Sequence, residues 1–246
     1  MGFISDRLGS GRKKPIQDTR TALEQAKEPQ REGAVGGSAV KLVQNLMDTG
    51  IDGRGPFHSA AQVAREALAE HGGNVDKAVD EVISDHLKLA GASGFVTNLG
   101  GFATMVVALP ANVFGFYALA TRMSAAVATL RGYDISRPEV RSAVLLSLVG
   151  ADAQDLLLKA GMVAPTGRLA SLASQRLPGP ALMMVNKAVG FRILTQTGKG
   201  AFARFGKAVP FVGGAVGAGM DVWLMQQLAE HVRTEFPRAI SDTPGA

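Results

Sequence analysis

The chain has 246 residues, and 46% of them are hydrophobic, enough for one large domain with a sizeable core. It has no cysteine, which excludes disulfides, thiolate metal sites and a cysteine nucleophile. The net charge of +5 is unevenly spread: residues 1–90 carry 12 basic and 13 acidic side chains, residues 91–246 carry 14 and 8.

The first fifteen residues, "MGFISDRLGSGRKKP", have no apolar h-region, so no secretory signal is expected. "MGFISD" narrowly misses a myristoylation signal, because Asp6 stands where serine or threonine is needed. Residues 1–35 read as a flexible leader, with room for a short helix over Pro15 to Lys27. Strand signals are scarce after that, and helical periodicity and caps are frequent. "SAVKLVQNLMDTG" sets Ala39, Leu42, Val43 and Leu46 on one face and ends at Gly50. "HSAAQVAREALAEHGG" does the same with Ala60, Val63, Ala67 and Leu68 and ends in a glycine pair. The next helix starts at Asn74, a good N-cap, with an inner stripe of Val75, Ala78, Val79, Val82, Ile83 and His86.

No charge occurs from Leu89 through Thr121, and Pro110 interrupts the run. Proline disfavours helical geometry at Leu109, so two arms meeting near Pro110 fit better than one rod. Each arm of about 15 residues would be roughly 22 Å long, short of a hydrocarbon core of about 30 Å. A buried core hairpin, a wedge into one leaflet and a true span are the three readings, the first being favoured. Gly94, Gly100, Gly101 and Gly115, and the Gly213/Gly217 pair with GxxxG spacing, suit close helix packing.

"SRPEVRSAVLLSLVG" reads as a capped helix, with Ser136 as N-cap, Pro138 in the first turn and Glu139 in a capping box. Further helices are expected over Ala151–Ala160, Arg168–Arg176, Ala181–Thr195 and from about Gly217 to Phe236. The expected fold is all-α: a single multi-helix domain over residues 36–240 built around glycine-rich apolar helical hairpins.

Chemistry is sparse. His58, His71, His86 and His231 form no HExxH or clustered pattern, and His86 reads as a core-edge histidine. "TQTGKGAFARFGK" lacks the Ser/Thr that a P-loop needs, and no GxSxG elbow is present. Hence no catalytic residue, metal or cofactor is expected, and the chain reads as a non-enzyme. The strongest functional feature is the acid-free stretch between Asp155 and Asp221. Within it Lys187, Arg192, Lys199, Arg204 and Lys207 alternate with apolar residues, a pattern suited to anionic headgroups. Phe102, Met105, Phe114, Phe116, Phe202, Phe205 and Phe211 are the matching candidates for acyl chains or membrane, or else simply core. Nucleic acid is not expected, because stacking platforms and a basic recognition helix are missing. Glycine packing would serve equally between copies of the chain, so a homo-oligomer stays open.

Three blocks occur in order: "GFVTNLGGFATMVVALPANV", then "RMSAAVATLRGYDISRPEVRSAVLLSLVG", then "KAVPFVGGAVGAGMDVWLMQQLAEHVRTEF". Together with "IDGRGPFHSAAQVAREAL" they resemble the bacterial EcsC family, over about Lys41 to Phe236. The resemblance implies a cytoplasmic or membrane-associated helical protein with no catalytic motif to carry over. The family is named for a protein encoded beside an ABC transporter. The expectation is thus a cytoplasmic, peripherally membrane-associated protein that binds anionic phospholipid or a lipid-like ligand. The alternative is an accessory subunit of a membrane transporter complex.

Overall fold

A computed structural model describes residues 34–54, 57–92, 111–150, 152–159, 169–205 and 213–239. Among these, nine α-helices and no strand occur: α1 (Ala34–Leu46), α2 (Ala60–Glu70), α3 (Val75–Gly91), α4 (Ala111–Leu130), α5 (Pro138–Ser147), α6 (Asp152–Lys159), α7 (Leu169–Ser174), α8 (Gly179–Phe205) and α9 (Gly213–Glu235). The first arm of the uncharged run, with Phe102 and Met105, lies outside the described residues, as do Lys207, Phe211 and the leader up to residue 33.

The predicted stripes bury themselves. Ala39, Leu42, Val43 and Leu46 of α1 are all at 3% exposure or less. Helix α1 ends at Leu46, short of the expected Gly50. A π-helical turn, Met47–Ile51, carries the chain inward, and Gly50 lies so close to α4 that a Cβ there would meet the Ala118 carbonyl at 2.8 Å. Ser59 caps α2 by accepting from the Gln62 N–H (3.2 Å), and Asn74 caps α3 by accepting from Lys77 (3.1 Å); each cap contributes about 1 kcal/mol. Gly72 and Gly73 adopt φ of +57° and +86°, left-handed values that let two helices meet in a tight turn.

Helix α4 is the packing centre. It contacts α2, α3, the π-turn, α5 and α9. Its segment Val113–Leu130 is long and apolar enough to cross a bilayer, yet 72% of it is buried inside the protein. The described second arm of the uncharged run, 111–121, is therefore the first part of a core helix, α4, about 30 Å long in all at 1.5 Å per residue.

The start of α5 departs from the expected cap. Arg137, not Ser136, occupies the N-cap and offers no side-chain bond. Ser136 instead donates its hydroxyl and its N–H to Asp134 (2.6 and 2.9 Å), an Asx-type turn that competes with capping. Glu139 reaches out of the helix, accepting from the Leu177 N–H (3.3 Å). Its own backbone N–H, then the Leu177 bond and Arg137, hold its carboxyl below the usual range.

Long-range ties fix the remainder. Arg141 of α5 grips Asp52 with both amino groups, at 2.8 Å for Nη1 to Oδ1. Tyr133 packs edge-on against Phe236 (5.4 Å, 77°) and donates to the Pro237 carbonyl (2.9 Å). The end of α9 is thereby fastened to the turn between α4 and α5. Met225, Ala229, Val232 and Phe236, all at 1% exposure or less, form the inner stripe of α9, with the i, i+4, i+7, i+11 spacing of one helix face.

Candidate functional site

The outer face of α9 is unusual. Met220 (46% exposed), Trp223 (55%) and Leu224 (41%) stand in solvent. Their spacing puts them on one face with Gln227 and His231, one to two turns further on. Trp223 is the chain's sole tryptophan. A tryptophan ring is a large apolar surface with one N–H donor, suited to a boundary between water and an apolar phase.

This stripe runs into a groove of about 370 Å³, within the usual size range for small-molecule sites. Phe116 and Tyr117 of α4 form one wall, Leu148, Val149 and Gly150 a second, and Leu224, Gln227, Leu228 and His231 of α9 the third. Gly150 has φ +59°, so the turn after α5 favours glycine there for its backbone conformation. Phe116 and Tyr117 meet edge to face (5.7 Å, 83°). Burial raises the Tyr117 phenol above its ordinary pKa.

The polar end of the groove is at His231. Its Nδ1 lies 3.9 Å from Glu235 Oε1, and Glu235 Oε2 accepts from the Leu169 N–H at 2.7 Å. The Nε2 of His231 is enclosed and has no hydrogen-bond partner. The groove is thus apolar along its walls with one unsatisfied polar atom, a pattern that accommodates an amphiphile. No group of three or more His, Asp or Glu able to hold a metal occurs among the described residues.

Of the five residues expected from sequence to hold headgroups, Lys187 and Arg192 have described side chains. Arg192 turns inward: it is 6% exposed and its Nε donates to Asp152 Oδ2 of α6 at 2.8 Å, with Nη2 on the same oxygen. A buried guanidinium keeps its carboxylate partner, so Arg192 is a structural cation and leaves the headgroup set. Lys187 is half-buried on α8. Lys199, Phe202, Arg204 and Phe205 fall on the last two turns of α8, where the backbone is helical. Of the aromatics, Phe114 is 3% exposed and belongs to the core. Phe116 lines the groove.

Sequence reading missed Trp223, Met220, Leu224 and His231 as a surface. The signal was present in "GMDVWLMQQLAEHV", whose apolar residues fall on two faces of one helix. One face suffices for the core, so the second was left over.

Residues 62–238 match the EcsC protein family. The chain belongs to the EcsC family. No curated protein and no solved structure matches it. The family match takes in all three walls of the groove, the whole of α9 and the Tyr133–Phe236 fastening.

Proposed function

We propose that this EcsC-family protein is a non-enzymatic, peripheral membrane-associating protein of the cytoplasmic side that takes up a lipid or lipid-like amphiphile along α9. The observation that carries the reading is the continuity of the exposed Met220–Trp223–Leu224 stripe with the apolar groove. Leu224 belongs to both, so an acyl chain lying against Trp223 would pass directly to Phe116 and Leu228. The acid-free stretch from 156 to 220, which carries seven basic residues besides the ion-paired Arg192, supports a preference for anionic lipid. Each basic residue near an anionic leaflet adds about 1 kcal/mol.

Flotation of detergent-free protein with vesicles tests this. Flotation with phosphatidylglycerol vesicles, weaker with phosphatidylcholine and reduced by Trp223→Ala, is the expected result. Protein that stays at the bottom with both vesicle types refutes the proposal and redirects α9 to a protein partner, such as a transporter subunit.

A further inference from the structure

Among the described residues, the buried charged side chains have charged or backbone partners that balance them, with one exception. Arg192 has Asp152. Glu139 has Arg137 and the Leu177 N–H. Glu235 has the Leu169 N–H and His231. Arg122, in the middle of α4, is 9% exposed and is bonded to no carboxylate among the described residues. It is the single charged side chain of α4.

Its surroundings are built around a cation without neutralising it. The Nε–H donates to His86 Nε2 at 3.2 Å, and His86 is 2% exposed. The other ring nitrogen of His86, Nδ1, lies 2.7 Å from the Val82 carbonyl. A nitrogen beside a carbonyl must carry the proton, so Nε2 is the acceptor and the ring is neutral. The guanidinium carbon sits 5.5 Å from the centroid of the Phe57 ring, which is itself half-buried at the surface. Histidine and phenylalanine orient the fork and supply no negative charge.

Several acids on neighbouring elements are engaged elsewhere, and none forms an ion pair with Arg122 among the described residues. Asp48 pairs with Arg54, Asp52 with Arg141, Glu66 with His58, Glu81 with His71 and Asp85 with Lys88. The uncharged run from Leu89 to Thr121 contributes none. A guanidinium has five N–H donors in a planar fork, matched to two oxygens of one oxyanion. Only the Nε–H has an acceptor among the described residues.

We infer that Arg122, oriented by His86 and Phe57, anchors an oxyanion site that takes the phosphate or carboxylate group of a ligand. The site lies on the α3 side of α4 and is independent of the groove on α9, so either stands if the other fails. The ligand group would accept from the outer amino groups of Arg122 and complete the charge balance of the core. A free phosphate and an amphiphile's head would engage the same fork.

The test is thermal unfolding of the full chain at constant ionic strength, with inorganic phosphate, acetate and decanoate against chloride. A midpoint that rises with phosphate or a carboxylate, absent in Arg122→Met and weakened about tenfold in apparent affinity in Arg122→Lys, is expected, since lysine lacks the two-pronged fork. A larger rise with decanoate than with acetate assigns an amphiphile; equal rises assign a free anion. Equal responses of wild type and Arg122→Met, or no response of the wild type to any of the three, overturn the inference. Should Arg122→Met fail to fold, the arginine Nε–H resonances of the wild type decide. Displacement of the Arg122 resonance by phosphate or a carboxylate supports the site, and none overturns it.

Discussion

Gly190→Ala sets two effects of opposite sign against each other. Alanine gains about 1 kcal/mol over glycine inside a helix, and Gly190 lies within α8. Against that, an added Cβ would sit 2.4 Å from the carbonyl oxygen of Ala39 and 2.9 Å from its carbonyl carbon. These are backbone atoms of α1 and cannot rotate away. Relief to an ordinary 3.4 Å contact moves α1 by about 1 Å, and a gap of about 0.5–1 Å forfeits a quarter to half of a dispersion contact. The side chains that would lose contact are Ala39, Leu42, Val43 and Leu46, all at the bottom of the core. Overpacking of this kind costs about 1–3 kcal/mol, and a backbone contact belongs at the upper end. The net expectation is a loss of about 2 kcal/mol, or about 4–8 °C in a domain of this size. Gly219→Ala is the control: Gly219 is also helical, but nothing lies within 4 Å of its added Cβ, so the propensity gain of up to about 1 kcal/mol stands alone. Urea denaturation followed by far-UV circular dichroism measures both. If Gly190→Ala proves as stabilising as Gly219→Ala, the close α1–α8 crossing is wrong.

Other expectations bear on the buried charges and the C-terminal fastening. Asp152→Ala removes the carboxylate to which the buried Arg192 donates and costs about 3 kcal/mol in thermal or urea unfolding, while Arg192→Met with Asp152→Leu recovers most of it; a single-variant loss well under 1 kcal/mol contradicts the pairing. Burial, and then the nearby Arg122 cation, lower the His86 pKa from 6.5 to about 4. The unfolded chain therefore binds the extra proton first, and stability falls by about 3 kcal/mol as pH drops from 6.5 to 4. His86→Gln should flatten this part of a urea-midpoint profile, and an unchanged slope would refute the assignment. Phe236→Ala empties a fully buried site beneath Tyr133 and should cost about 3–5 kcal/mol, read by calorimetry.

Much of the helical skeleton was legible because apolar spacing and caps are local. Asn74, the Gly72–Gly73 turn and the stripe from Ala78 to His86 needed only neighbours three or four residues away. The α5 start misled because Ser136 can bond Asp134 as readily as it can cap a helix, and a sequence does not rank the two. Arg192 misled for a different reason. Its partner Asp152 is forty residues distant, so a basic residue among phenylalanines looked like a surface when it was the inside of an ion pair. Arg122 was visible as the charge ending the uncharged run, but its isolation is a property of where other acids pair. Two glycines that the sequence reading did not single out for packing, Gly50 and Gly190, mark close helix crossings, because which backbones cross is a non-local property.

Because Trp223 is the sole tryptophan, its emission reports on α9 alone, and vesicles carrying bromolipid make the most direct measurement. Association through the α9 stripe predicts a blue shift on adding anionic vesicles and strong quenching by bromine in the acyl chains, both lost in Met220→Ser/Leu224→Ser. An emission maximum that stays at the water-exposed position, unquenched while the protein floats with the vesicles, would contradict the assignment of this face to lipid.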